Sequence, residues 1–181
     1  MKPIEINEAQ EPAKGILEAT KSKMGAVPNM FKMMANNPSL LNAYTKADET
    51  FRKDSGFTPQ EQEVILLSIA VYNECTYCVA AHSFIAKHQS KVSKEVIDAL
   101  RDRKKLSEAK YEALSKFAVS VTKERGFPTQ EATNALKQAG YTDQHVAGVI
   151  TGVGIKTLSN YINHISETKV DDMFAEFKWE K

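Results

Sequence analysis

The stretch from Thr58 to Val71 constrains the fold more than any other. Thr58-Pro59-Gln60-Glu61 is a helix start: Thr58 can cap, Pro59 fits the first helical position, and Glu61 completes a capping box. The run Val64-Ile65-Leu66-Leu67 follows, and the helix continues to about Val71. It is apolar nearly all round, so it belongs in a core, walled by other elements. Those elements are also helical. Period-2 alternation is scarce, and Ala, Glu, Lys, Gln and Leu are frequent, so the expected class is all-α.

Turn and cap signals divide the rest of the chain. A helix is predicted from about Glu11 to Lys23, with Pro12 in its first turn. Gly25 and Pro28 break it, and Asn36-Asn37-Pro38 opens a helix running towards Lys53. Asn73 is the expected cap of a helix that carries Cys75 and Cys78 and ends near His88. Ser93, Ser107, Thr129 and Thr142 are the caps expected for four later helices. The last runs to about Ile165 and contains Gly148, Gly152 and Gly154, which would let a neighbouring helix approach closely. The tail beyond Thr168 carries Met173, Phe174, Phe177 and Trp179, an apolar load expected to dock on this subunit or another. Met24, Met30, Met33 and Met34 read as core filler, and Arg101, Arg103, Lys104 and Lys105 as a solvated face.

Composition excludes several classes. Lys+Arg number 24 and Asp+Glu 23, a formal net charge of +1, so no global field would draw nucleic acid or an anionic membrane. No apolar run approaches the ~18 residues of a membrane span. The opening MKPIEINEAQEPAK has no apolar core of a secretory signal, so a cytoplasmic location is expected. Both cysteines sit in one Cys75-x-x-Cys78 pair. In a reducing compartment such a pair reads as redox chemistry or metal binding.

On one helix Cys75, Cys78 and His82 fall at about 0°, 300° and 340°, on one face. Residues three apart have Cα atoms roughly 5 Å apart, within the about 4.4–6.8 Å that a disulfide needs. His82, one turn beyond Cys78, can take a thiol proton and hold the thiolate. A thiol of pKa ~8.5 is only about 3% ionised at pH ~7, and a drop of roughly two units makes it mostly thiolate. Such a thiolate attacks a peroxide O–O bond, and a second cysteine converts the sulfenic acid to a disulfide. Structural zinc would need a fourth ligand from His88, His145, His164 or a carboxylate, and no second CxxC exists, so no metal or cofactor is expected. A thioredoxin-type site is excluded because the preceding segment reads as helix rather than strand. Asn160, Asn163 and His164 are further candidates for the pocket wall.

Thr58 to His82, TPQEQEVILLSIAVYNECTYCVAAH, resembles the AhpD-like branch of the carboxymuconolactone decarboxylase superfamily. Its pattern is a glutamate, a CxxC beginning twelve residues on, and a histidine four residues after the second cysteine; Glu63, Cys75, Cys78 and His82 match it. Met24 to Met30 and Asn160 to Ile165 resemble, more loosely, the peroxidase-related subgroup. The resemblance implies a single all-α domain, an AhpD-like helical bundle with the CxxC on a central helix. Within 1–181, residues 1–57 would be an N-terminal helical extension, 58–125 the CxxC core and 126–181 the C-terminal helices.

The resemblance also implies homo-oligomers, trimers or hexamers, and a thiol-dependent hydroperoxide reductase. Cys78 would be the attacking thiolate, Cys75 the resolving thiol, and Glu63 with His82 a proton relay. Electrons would come from a dithiol protein, lipoylated or thioredoxin-like. Physical reasoning alone favours Cys75 as nucleophile, in the first turn after the Asn73 cap, although Glu74 opposes it. AhpD itself carries a histidine where Tyr77 stands. Glu63 and Glu61 each begin an apolar helix face, and Glu63 lies about 120° from Cys75 on a straight helix. A bend near Tyr72-Asn73 is therefore required. Competing expectations are a protein disulfide reductase or electron relay, a cofactorless carboxymuconolactone decarboxylase-type enzyme, and a metal-binding non-enzyme.

Overall fold

In the computed structural model, which describes residues 1–180, nine α-helices and a closing 3-10 segment form one all-helical domain. The helices are α1 (Ala13–Met24), α2 (Asn29–Met34), α3 (Pro38–Asp54), α4 (Pro59–Tyr72), α5 (Thr76–His88), α6 (Lys94–Arg101), α7 (Ala109–Lys123), α8 (Gln130–Gln138) and α9 (Asp143–Ser166). The 3-10 segment is Asp172–Phe177.

Helix α4 is the hub. The Thr58–Glu61 capping box forms, with Pro59 at the first position. Every residue from Glu61 to Val71 is buried, because α5, α6, α7 and α9 pack around it. Two glycines bring α9 close. A Cβ at Gly148 would stand 2.9 Å from the Phe57 ring and 3.0 Å from the Ser55 carbonyl oxygen, and one at Gly152 would meet Ile65 at 3.0 Å. Gly154 faces open space instead, so it serves no close approach.

Several local expectations need correction. Asn73 ends α4 rather than capping α5; the cap of α5 is Cys75, whose Sγ accepts from the Cys78 N–H. Cys75 therefore stands just outside the helix, not in its first turn. Glu108, not Ser107, occupies the start position of α7. Helix α2 falls where only breaks were read. Its six residues are too few for a periodic pattern, and the Asp171 carboxylate, 142 positions away, accepts from its first N–H. Met30, Met33 and Met34 are core, but Met24 is 43% exposed at the C-terminal end of α1.

The tail docks on its own subunit. Phe174 is buried against Tyr77 and Phe84 on α5, and the Trp179 indole donates to the Arg101 carbonyl. Arg101 is thus no solvated cation: its guanidinium donates to Ser83 and to the carbonyls of Phe177 and Lys178. Arg103, Lys104 and Lys105 are exposed. Among the described residues no helix is long and apolar enough to cross a membrane.

Candidate active site

The bend that the sequence requires lies between α4 and α5. Glu74 adopts φ 55°, its N–H donates to the Val71 carbonyl, and the Cys75 N–H reaches the Ala70 carbonyl at 3.0 Å. This is a Schellman ending with glutamate at the left-handed position usually taken by glycine. Asn73 fastens the bend to α9 by donating to Asn160 Oδ1 at 2.8 Å. The turn swings α5 back along α4, and Glu63 comes to face His82.

Glu63 is 1% exposed and holds two partners. Its Oε2 accepts from His82 Nδ1 at 2.9 Å, and its Oε1 accepts from Arg52 on α3. Arg52 also pairs with Asp48 at 3.5 Å, at the solvent edge. Burial opposes the Glu63 charge, but His82 and Arg52 outweigh it and keep the carboxyl below its ordinary range. Burial and the nearby Lys156 ammonium together hold the His82 imidazole below its ordinary value, against Glu63. At neutral pH His82 is therefore uncharged. Its Nδ1–H is committed to Glu63, which leaves Nε2 as the basic nitrogen. Glu61 is buried too, but serves as a cap and binds Tyr141 and Lys110. That separates the two glutamates.

Cys75 and Cys78 are free thiols, 1% and 2% exposed. Asn163 Nδ2 donates to Cys78 Sγ at 3.2 Å and lies 3.9 Å from Cys75 Sγ. Burial disfavours a Cys78 thiolate, yet the Cys75 S–H, Lys156 and Asn163 bring its pKa well below 9.0. The hydrogen bond to Cys78, then burial, pushes Cys75 the other way. The pair thus divides into one thiolate and one thiol, with the charge on Cys78. Cys78 is the third residue of α5, inside the first turn, where the helix dipole also favours a negative charge. Tyr77 takes no part in this exchange. It packs on Phe174 and donates to Asp171 Oδ2 at 2.6 Å, tying the tail to α5.

Glu63, His82, Cys75 and Cys78 are therefore brought together, along with Asn160 and Asn163, whereas His164 is exposed. Sequence reasoning missed Arg52 and Lys156. Arg52, eleven positions before Glu63, carries no local signal. Lys156 had one: it precedes Asn160 and Asn163 by four and seven residues, so all three share a face of α9. A surface groove of about 1490 Å³ beside α4, α7 and α8 contains neither cysteine, Glu63 nor His82. No cluster of His, Cys, Asp and Glu suited to a metal occurs among the described residues.

Residues 38–107 match the carboxymuconolactone decarboxylase family. No curated protein matches the chain in sequence. Among solved structures, an AhpD-core, uncharacterized peroxidase-related protein from Ralstonia eutropha JMP134 is similar, with TM-score 0.83 and 24% identity over 96% of this chain and 93% of that one. A peroxidase-related protein from Silicibacter sp. TM1040 gives 0.75 and 21% over 93% and 87%. The debrominase Bmp8 in complex with 2,3,4-tribromopyrrole gives 0.80 and 15% over 97% and 93%. The family match covers residues 38–107, and the chain shares the AhpD-like fold of these structures along nearly its whole length.

Proposed function

We propose that the protein is a thiol-dependent reductase of small hydroperoxides. The observation that carries this reading is the buried Cys75–Cys78 dithiol, with the Asn163 amide donating to Cys78 Sγ at 3.2 Å, beside His82 held by Glu63 at 2.9 Å. The Cys78 thiolate attacks the outer oxygen of ROOH. An S–O bond forms, the O–O bond breaks, and the departing RO⁻ takes one proton. Cys75 then attacks the sulfenic sulfur; the S–S bond forms and water leaves with the Cys75 proton, relayed by His82 Nε2. A dithiol, a lipoyl group or a thioredoxin-like protein, returns two electrons and two protons.

Glu63 positions His82, and Arg52 keeps Glu63 ionised. Burial of both sulfurs fits a small hydroperoxide as the oxidant. The dithiol has no part in cofactorless lactone decarboxylation, which is the reading least supported. A homo-oligomer is part of the proposal. Ile150, Tyr161 and Ile165, 59%, 58% and 72% exposed, lie within about 60° of one another on α9 and form an apolar stripe that a second copy would cover.

The test is turnover of cumene hydroperoxide with a dithiol reductant. Turnover by the unaltered protein and none by Cys78→Ser supports the proposal; full turnover by Cys78→Ser ends it. A parallel reaction with 2,3,4-tribromopyrrole addresses the second electrophile that the likeness to the debrominase raises. Release of bromide without any peroxide turnover would replace peroxide as the substrate.

A further inference from the structure

Three buried polar atoms on one face of α9 have no protein partner: Lys156 Nζ, Asn160 Nδ2 and Asn163 Oδ1. Their residues are 0%, 0% and 5% exposed. The other ends of the two amides are engaged, Asn160 Oδ1 by Asn73 and Asn163 Nδ2 by Cys78. Lys156 lies close enough to act electrostatically on Cys75, Cys78 and His82, yet makes no hydrogen bond to either sulfur. Buried polar groups are kept when something satisfies them. Here the open set is a cation with three N–H donors, an amide N–H donor and a carbonyl acceptor, on the α9 face that holds Asn163 against the nucleophile. A hydroperoxide offers the complement: oxygen lone pairs for the donors and one O–H for the acceptor.

The charges narrow the ligand further. Arg52 and Lys156 bring two positive charges, Glu63 and the Cys78 thiolate two negative ones, with Asp48 at the solvent edge. Tyr44 and Tyr77, which also face the centre, are pushed up and stay neutral, as does His82. An anionic ligand would bring an unpaired charge into this interior, which costs several kcal/mol.

We infer, on the reading given under Proposed function, that Lys156, Asn160 and Asn163 are the subsite for a small uncharged hydroperoxide, and that Lys156 donates the proton to its departing oxygen. Cys78–S⁻, Cys75–SH, Lys156–NH₃⁺ and ROOH become the disulfide, Lys156–NH₂, ROH and H₂O. The S–O and then S–S bonds form, the O–O bond breaks, and two electrons pass from the sulfurs to the peroxide. Both protons that the products require come from within the site; Lys156 regains its proton from solvent, and the dithiol restores the two sulfurs.

Fully reduced protein at neutral pH receives stoichiometric hydrogen peroxide, after its thiolate has been counted by ultraviolet absorbance, and the rate of disulfide formation is followed. Lys156→Arg keeps the charge but cannot donate, so the thiolate stays and oxidation slows about 100-fold, at the low end for general acids. An unchanged rate overturns the inference. If that variant does not fold, Lys156→Met is compared at equal thiolate content, where an unchanged rate does the same. A hydroperoxide bearing a carboxylate should react more slowly than a neutral one of similar size; faster reaction overturns the neutral-ligand claim. Failure of peroxide to oxidise the unaltered protein overturns this inference together with the reductase reading, whereas normal oxidation at an unchanged variant rate overturns this inference alone.

Discussion

Glu63→Gln removes one charge and almost no volume, so it isolates what the carboxylate does. Glu63 is 1% exposed, and both of its oxygens are engaged, one by Arg52 and one by His82. Removing one partner of a buried pair costs about 3–5 kcal/mol, because the other charge is left buried and unpaired. Two features reduce this here. The Arg52 side chain is 28% exposed and keeps Asp48, and the amide oxygen of glutamine can still accept one hydrogen bond. A loss of about 2–3 kcal/mol at pH ~7 is therefore expected. The Glu63 carboxyl lies below its ordinary value of 4.5 when folded. Its stabilisation is thus fully present above pH 4.5 and is lost as the pH falls through the folded value. The gap between the two proteins should narrow in acid accordingly. Urea unfolding of both across pH 3–7, read by helical circular dichroism, measures it. Equal stability at neutral pH, or a gap that widens in acid, would refute the buried Arg52–Glu63–His82 arrangement.

Cys75→Ser should still consume one equivalent of peroxide, but stop at the sulfenic acid and pass to the sulfinic acid with excess peroxide, seen as mass additions on the Cys78 peptide. The reduced protein should show one thiolate at pH ~7 that persists well below 9.0, while the second thiol stays protonated beyond that pH; the absorbance near 240 nm reports both. Gly148→Ala should lower stability by about 1–2 kcal/mol, since its Cβ would press on Phe57 and a backbone oxygen. Gly154→Ala, which meets nothing within 4 Å, should raise stability by up to about 1 kcal/mol through helix propensity. Thermal melts of the two variants should move in opposite directions.

The parts of the molecule legible in the sequence are those governed by local rules. The capping box at Thr58, the apolar α4 and the caps at Ser93, Thr129 and Thr142 follow from residue type and helical period. The relation of Glu63 to His82 came from the family resemblance, and the 120° mismatch pointed to the bend that Glu74 supplies. The cap of α5 was misplaced because Cys75 uses a thiol in a role that asparagine, serine or aspartate usually fills. Illegible parts depend on distant contacts. Helix α2 is too short to show a period and is fixed by Asp171. Arg101 looks like one of four surface cations until the tail folds over it. Arg52 and Lys156 are ordinary cations in the sequence; only the tertiary fold carries them to the dithiol.

The most direct measurement is a thiol count on reduced, metal-free protein before and after one equivalent of cumene hydroperoxide, with mass spectrometry of the peptide holding Cys75 and Cys78. Rapid loss of both thiols and a Cys75–Cys78 disulfide without added oxygen are expected. Two thiols that survive the peroxide would contradict it.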